Sequence, residues 1–216
     1  MLTIVQGNQE NIKEFYNELV INHETDYDSI EEAREKYEIE PGSFALVYKK
    51  GDLLLKGEWV EGHNDLFFEE GVTLGTTKIT PTYTNEFVML EKLQEDEAFP
   101  RLYGFDEKNN VTIMEYIDGE SLYNNVLKNG VNVSKEIEEQ VLESFRFVLK
   151  KGFFPYDVHF RHIILQKGRV RIFDTSLYQP LSYLVEENSF FATLSIDELA
   201  MIAWETSKRI TFENKK

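Results

Sequence analysis

Residues 155–176 read Pro155-Tyr156-Asp157-Val158-His159-Phe160-Arg161-His162-Ile163-Ile164-Leu165-Gln166-Lys167-Gly168-Arg169-Val170-Arg171-Ile172-Phe173-Asp174-Thr175-Ser176. Two short β-type runs, Ile163–Leu165 and Val170–Phe173, flank Gln166-Lys167-Gly168-Arg169, whose polar, glycine-bearing composition suits a hairpin turn. Closing that hairpin carries Asp157, before the first strand, next to Asp174, just after the second. Two carboxylates at one end of a hairpin repel unless a proton or a cation lies between them. The pattern predicts a metal-phosphate site; an acidic hairpin with a solvated turn is the plain alternative.

Composition sets the outer limits. At 216 residues the chain fits one domain, or one domain of two lobes, and is long enough to bury a substantial core. Hydrophobic content of 42% and aromatic content of 13% describe a globular protein rather than a disordered one. The sequence has no apolar run approaching the roughly 18 residues of a membrane span, and its first ten residues lack the basic and apolar regions of a signal peptide. Without cysteine there is no disulfide scaffold and no thiolate nucleophile or ligand, which fits a cytoplasmic protein. A net charge of −16 argues against nucleic acid or an anionic membrane as partner.

The 155–176 stretch resembles the catalytic core of the protein-kinase-like family, whose pattern is H-R-D-x-x-x-x-N followed by a hairpin and D-F-G. The resemblance implies that Asp157 is the catalytic Asp and Asp174 the metal-binding Asp of D-F-G. His162 then falls where the family has its metal-binding Asn, and His159 where many of these kinases have a Lys. The Asp157-Val158-His159 version is similar to the D-L-H of aminoglycoside, lipopolysaccharide and small bacterial kinases. Three departures stand out: Pro155-Tyr156 for His-Arg or His-Gly, His162 for Asn, and Thr175-Ser176 for Phe-Gly.

The rest of the chain is consistent with that order. Residues 8–38 read as helical, with Asn8 or Asn11 as cap and Ile12, Phe15, Tyr16, Leu19 and Val20 on one face. A second, acidic helix runs from Ser29 and stops before Pro41-Gly42. Strands are expected at Ser43–Tyr48, Asp52–Lys56, Leu66–Phe68 and Val72–Ile79, matching a kinase N-lobe sheet. Gly57 and Gly62 would make a weak phosphate-covering loop; Lys78, with Lys56 as rival, would hold the α/β-phosphates. An amphipathic helix over Thr84–Leu93 resembles the αC helix, with Glu86, or alternatively Glu91, as partner of that lysine. Val111–Leu122 looks like strand 5 and the hinge. Met114 would be the gatekeeper, the backbone of Glu115 and Ile117 would read adenine, and Asp118 or Glu120 would approach the ribose. Residues 134–152 form a helix capped by Ser134. Near the C-terminus, Asp197 either props the catalytic loop or is an N-terminal helix charge. The sequence has no A-P-E motif.

The resemblance implies an α+β, minimal bilobal kinase-like fold: an antiparallel N-lobe sheet with an αC-type helix, and a truncated, mainly helical C-lobe. The expected organisation is a single domain over residues 1–216, with a helical extension at 1–42, an N-lobe at 43–117 and a reduced C-lobe at 118–216. The implied activity is transfer of the γ-phosphate of ATP to a hydroxyl of a protein or small molecule. Mg²⁺, or Mn²⁺, would be held by Asp174 and His162. His162 packing against the loop backbone is an equal alternative, because imidazole suits softer metals than Mg²⁺. A pseudokinase acting as a binding or regulatory module is the second functional class.

Overall fold

The computed structural model describes residues 1–23, 45–58, 72–74, 77–79, 86–130 and 132–213. The acidic helix expected from Ser29, the Pro41-Gly42 break, Gly62 and the Leu66–Phe68 strand lie outside the described residues. The chain is α+β and divides into two units, Met1–Leu66 with Arg101–Tyr116, and Phe67–Pro100 with Ile117–Lys216.

The first unit is built on an antiparallel five-stranded sheet. Its strands are β1 (Thr3–Ile4), β2 (Ala45–Lys50), β3 (Leu53–Glu58), β6 (Leu102–Asp106) and β7 (Val111–Glu115), in the order β1-β6-β7-β3-β2. Gly51, at φ +64°, takes the left-handed turn joining β2 to β3. Helix α1 (Gln9–His23) starts where Asn8 Oδ1 accepts the Glu10 and Asn11 amides at 3.1 and 3.3 Å, which settles the cap on Asn8. Its apolar stripe, Ile12, Phe15 and Tyr16, packs on Tyr48, Leu53, Leu55, Val111 and Ile113, all from one face of the sheet. Strand alternation turns Lys56, paired with Thr112, and Met114, paired with Leu54, to the opposite face.

A buried polar knot ties α1 to this sheet. Asp106, 1% exposed at its side chain, receives the α-amino group of Met1 at 2.8 Å, the Tyr16 hydroxyl and Asn109 Nδ2 at 2.9 Å. Burial alone would raise the Asp106 pKa, but these hydrogen bonds and the ammonium charge together hold it below the usual carboxylate value.

The second unit is mainly helical. It contains β4 (Val72–Leu74) and β5 (Thr77–Ile79), α2 (Glu86–Leu93), β8 (Glu120–Ser121), α3 (Leu122–Asn129), α4 (Lys135–Lys150) and β9 (Phe153–Phe154). It continues through β10 (Ile163–Gln166), β11 (Arg169–Ile172), β12 (Gln179–Pro180), α5 (Leu181–Glu187), a 3₁₀ turn (Ser189–Thr193) and α6 (Ile196–Glu213). The expected Val72–Ile79 strand is a separate hairpin of β4 and β5 rather than a member of the five-stranded sheet. Ser121 and Ser134 cap α3 and α4, accepting the Asn124 and Ile137 amides. Helix α4 buries Val141, Leu142, Phe145, Val148 and Leu149 and packs along α6, which contributes Leu199, Ala200, Ala203 and Trp204 to the core.

The Asp106 knot generates a pH prediction. A carboxylate with a depressed folded-state pKa stabilises above its unfolded pKa, about 4, and that contribution is lost as pH falls through the folded value. Asp106→Asn is expected to cost about 1–3 kcal/mol at pH 7. The gap to wild type, measured by urea unfolding, should shrink between pH 5 and pH 3, as expected when the wild type loses its carboxylate. A gap unchanged over that range would sink this account.

Candidate active site

The hairpin expected at 163–173 is present. Strands β10 and β11 pair in register from Ile163↔Ile172 to Gln166↔Arg169, and Lys167 (φ +52°) with Gly168 (φ +81°) make the two-residue turn. Two consecutive left-handed residues match the twist of a tight hairpin. β8 pairs with β10 on its other side, and Gly119 permits this approach: a Cβ there would lie 2.6 Å from Ile164 Cγ2 and 2.7 Å from the Leu165 carbonyl oxygen. The Ile172 amide donates to the Ala98 carbonyl at 2.7 Å, anchoring the hairpin to the segment after α2.

At the open end of this hairpin the chain brings four sequence-nominated residues together. The Phe173 amide donates to the His162 carbonyl at 3.1 Å, and the His162 amide to the His159 carbonyl at 2.9 Å. Asp157 and Asp174 both adopt positive φ, +55° and +62°, a conformation uncommon outside Gly and Asn/Asp. The two side chains lie near enough for the Asp174 charge to act on the Asp157 carboxyl. His162 links the Asp157 backbone to the Asp174 side chain, with Nδ1 3.2 Å from the Asp157 carbonyl oxygen and Nε2 3.4 Å from Asp174 Oδ2. Ser176 Oγ donates to Asp174 Oδ1 at 3.0 Å.

The electrostatics follow from this crowding. Burial, with the Asp174 charge added, lifts the Asp157 carboxyl to about 7. A carboxyl poised near neutrality suits proton transfer at physiological pH. Burial first, then the neighbouring His162, push the His159 imidazole down to about 3, so it is neutral at pH 7. Its Nδ1 accepts the Arg161 amide at 3.2 Å, placing the ring proton on Nε2, and its ring lies 3.5 Å from that of His162. His159 therefore offers a neutral N–H rather than a positive charge.

Glu86, 1% exposed at the start of α2, accepts the Thr175 amide at 3.1 Å, while Glu91 is exposed. Of the two glutamates, Glu86 is the one beside the Asp174 loop. Tyr178 is wholly buried; burial, then Asp174 and Glu86, push its hydroxyl well above the ordinary value. Lys56 stands half-buried on β3, the strand next to β7, whereas Lys78 lies in β5 and its side chain is outside the described residues. Met114 is buried on β7; the Glu115 amide donates to the Arg101 carbonyl at 2.9 Å, and Ile117 follows the strand in irregular backbone. Glu120 is held by Lys128 and by Asn125 at 3.2 Å.

The C-terminal helix holds the loop in a way the sequence did not announce. Asp197 is an exposed helix-terminal charge bonded to Arg146 at 2.7 Å, so the prop lies elsewhere. Thr211 Oγ1 on α6 accepts the buried Phe160 amide at 2.9 Å, and Trp204 stacks on the Phe160 ring at 5.3 Å. A threonine near a helix end carries no motif, and only its position opposite Phe160 reveals the role.

These features define an α+β chain with two aspartates at the open end of one hairpin. No family model matches the chain. Over 136 residues it is 29% identical to the Bacillus subtilis (strain 168) protein named "Putative serine/threonine-protein kinase YrzF", covering 61% of this chain and 62% of that one. Two loosely similar solved structures are the bifunctional kinase-methyltransferase WbdD and the Cydia pomonella granulovirus kinase PK-1. For WbdD the TM-score is 0.42 at 15% identity, covering 80% of this chain and 44% of that one. For PK-1 it is 0.45 at 16% identity, covering 71% and 56%. The match to YrzF thus spans less than two thirds of that protein, and superpositions this loose do not bear on function. Over the matched stretch the chain is similar to a protein named as a putative serine/threonine-protein kinase.

Two packing features can be checked directly. Thr211→Val, which leaves the buried Phe160 amide without its acceptor, is expected to cost about 1–3 kcal/mol in urea unfolding, with Thr211→Ser recovering most of it. Gly119→Ala should also destabilise, because backbone on β10 must move to admit the methyl group; a neutral midpoint would contradict the close approach of β8 to β10.

Proposed function

We propose that the chain is a phosphotransferase that moves the γ-phosphate of ATP to a hydroxyl group. One observation carries this reading: Asp157 and Asp174, set apart in sequence, meet at the end of one hairpin with His162 touching both. In the proposed reaction the acceptor oxygen bonds to the γ-phosphorus as the bond from that phosphorus to the β,γ-bridging oxygen breaks. The hydroxyl proton passes to the Asp157 carboxylate, and ADP leaves. An Asp157 carboxyl near 7 holds and releases such a proton readily. Asp174, a hard oxygen donor, fits a divalent ion, which when bound neutralises phosphate charge. Glu86 fixes the Asp174 loop through the Thr175 amide. We assign the phosphate-contacting lysine to Lys56, because β3 lies against β7, the strand that carries Met114 and Glu115. The acceptor is a protein or small-molecule hydroxyl, and the chain works in the cytoplasm.

A second reading, nucleotide binding without turnover, is favoured by His159, which is neutral where a cation would assist the transferred phosphate. The two separate in a thermal-shift titration with ATP and Mg²⁺ or Mn²⁺, paired with a transfer assay. Binding to the folded state alone stabilises by about 2.7 kcal/mol at a hundredfold excess over Kd. The shift is expected in wild type and lost in Asp174→Asn. Asp157→Asn should keep the shift while transfer falls about 10²–10⁴-fold. A shift without any transfer in wild type would leave the binding module standing; transfer unchanged in Asp157→Asn would remove its assigned role.

A further inference from the structure

Arg146 bonds Asp197 and Glu139, and Arg169 bonds Glu97, each at 2.7 Å. Arg171 donates to Gln166 and to the Phe99 carbonyl. Arg161 differs from all three. It lies between His159 and His162 in the segment that begins at Asp157, and it is exposed. Among the described residues its guanidinium meets no carboxylate, although the chain carries 39 acidic residues. It lies instead over the Tyr123 ring, 4.9 Å from the centroid. The acid nearest to that ring in sequence, Glu120, is already held by Lys128 and Asn125.

Two backbone bonds hold this pair in place. The Tyr123 amide donates to the Phe160 carbonyl at 3.1 Å, joining the first turn of α3 to the Asp157 segment. The Phe160 amide in turn donates to Thr211 Oγ1 at 2.9 Å. The N–H donors of a guanidinium lie in its own plane, so a ring against its face leaves them for another partner. Leu127, 54% exposed, stands one turn further along α3 on the side of Tyr123. A cation, an aromatic face and an exposed leucine therefore form a strip that runs about 6 Å along the helix. The Arg161 charge also reaches the site: burial first, then His162 and Arg161, disfavour the charged form of His159.

We propose that Arg161 selects the acceptor: the hydroxyl that receives phosphate belongs to a polypeptide segment with a carboxylate close to it, seated on Arg161, Tyr123 and Leu127. The inference rests on the phosphotransferase reading, in which Asp157 takes the hydroxyl proton. Charge complementarity decides the occupant. At a net charge of −16 the chain as a whole repels an acidic segment, and a guanidinium with no carboxylate of its own makes a local exception beside Asp157. A basic segment, which the overall charge attracts, meets a like charge at this point. The planar fork of arginine matches a carboxylate with two parallel hydrogen bonds. The apolar part of the strip extends the contact a helical turn beyond the guanidinium, which fits a run of residues better than one small anion.

The test is a transfer assay with radiolabelled ATP on an array of peptides that share a central Ser or Thr and differ in the flanking residue: Asp or Glu, Ala, Lys or Arg. Wild type is expected to label the acidic peptides about tenfold or more better than the basic ones, with the difference in KM. Arg161→Glu should reverse that preference and Arg161→Gln should flatten it. Arg169→Glu, the same charge change on the arginine bonded to Glu97, should leave it as in wild type, and all three variants should keep the thermal shift with ATP. Labelling without acidic preference, or an acidic preference that survives Arg161→Glu, would overturn this proposal and spare the phosphotransferase reading. Labelling of a small-molecule hydroxyl but of no peptide would do the same. Absence of transfer to any hydroxyl would overturn both. Should Arg161→Glu not fold, Arg161→Gln decides.

Discussion

The proximity of two carboxylates governs the second unit. Asp174 lies close enough to Asp157 to help lift its carboxyl to about 7, and such a pair holds its spacing only if the surrounding backbone over-determines it. The chain does so from several directions. The hairpin ladder fixes Phe173 against His162, the Ala98 carbonyl anchors β11, and the Thr175 amide is tied to Glu86. Positive φ at both aspartates adds a conformational cost that the ladder and the buried core around Phe160 offset.

Charge near this pair is managed with unusual economy. His159 sits within ring-stacking distance of His162, and burial keeps it neutral. His162 takes the position between the aspartates, and its two nitrogens do different work. One orients the ring against backbone, and the other meets the carboxylate. The wholly buried Tyr178 stands near enough to Asp174 and Glu86 to feel both charges, its ring edge-on to Phe99.

The first unit solves a different problem. A five-stranded sheet has two faces, and α1 covers one of them with Ile12, Phe15 and Tyr16. The Asp106 knot joins that helix to β6, so a polar contact fixes the register of an otherwise apolar packing. Lys56, Thr112 and Met114 are left to the opposite face by simple strand alternation.

Much of this was legible in the sequence because it is local. Strand alternation around Lys167-Gly168, the serine cap at Ser134, and the order of the acidic and hinge-like motifs need only neighbouring residues to read. The bringing together of Asp157 and Asp174 followed from a hairpin, whose geometry is set by a few residues. What the sequence left open depended on distant partners. Glu86 and Glu91 stand about 140° apart on the helix, and only the position of the Thr175 amide shows which of them meets the Asp174 loop. Asp197 and Thr211 are both polar residues on one helix; the fold set Asp197 beside Arg146 and Thr211 beneath the Phe160 amide. The neutrality of His159 arises from burial, a property of three-dimensional packing that no spacing of residues encodes. The residues alone thus determined which chemical groups are available and the order in which they occur. Tertiary structure decided which of them share one low-dielectric space, and therefore which carry charge there.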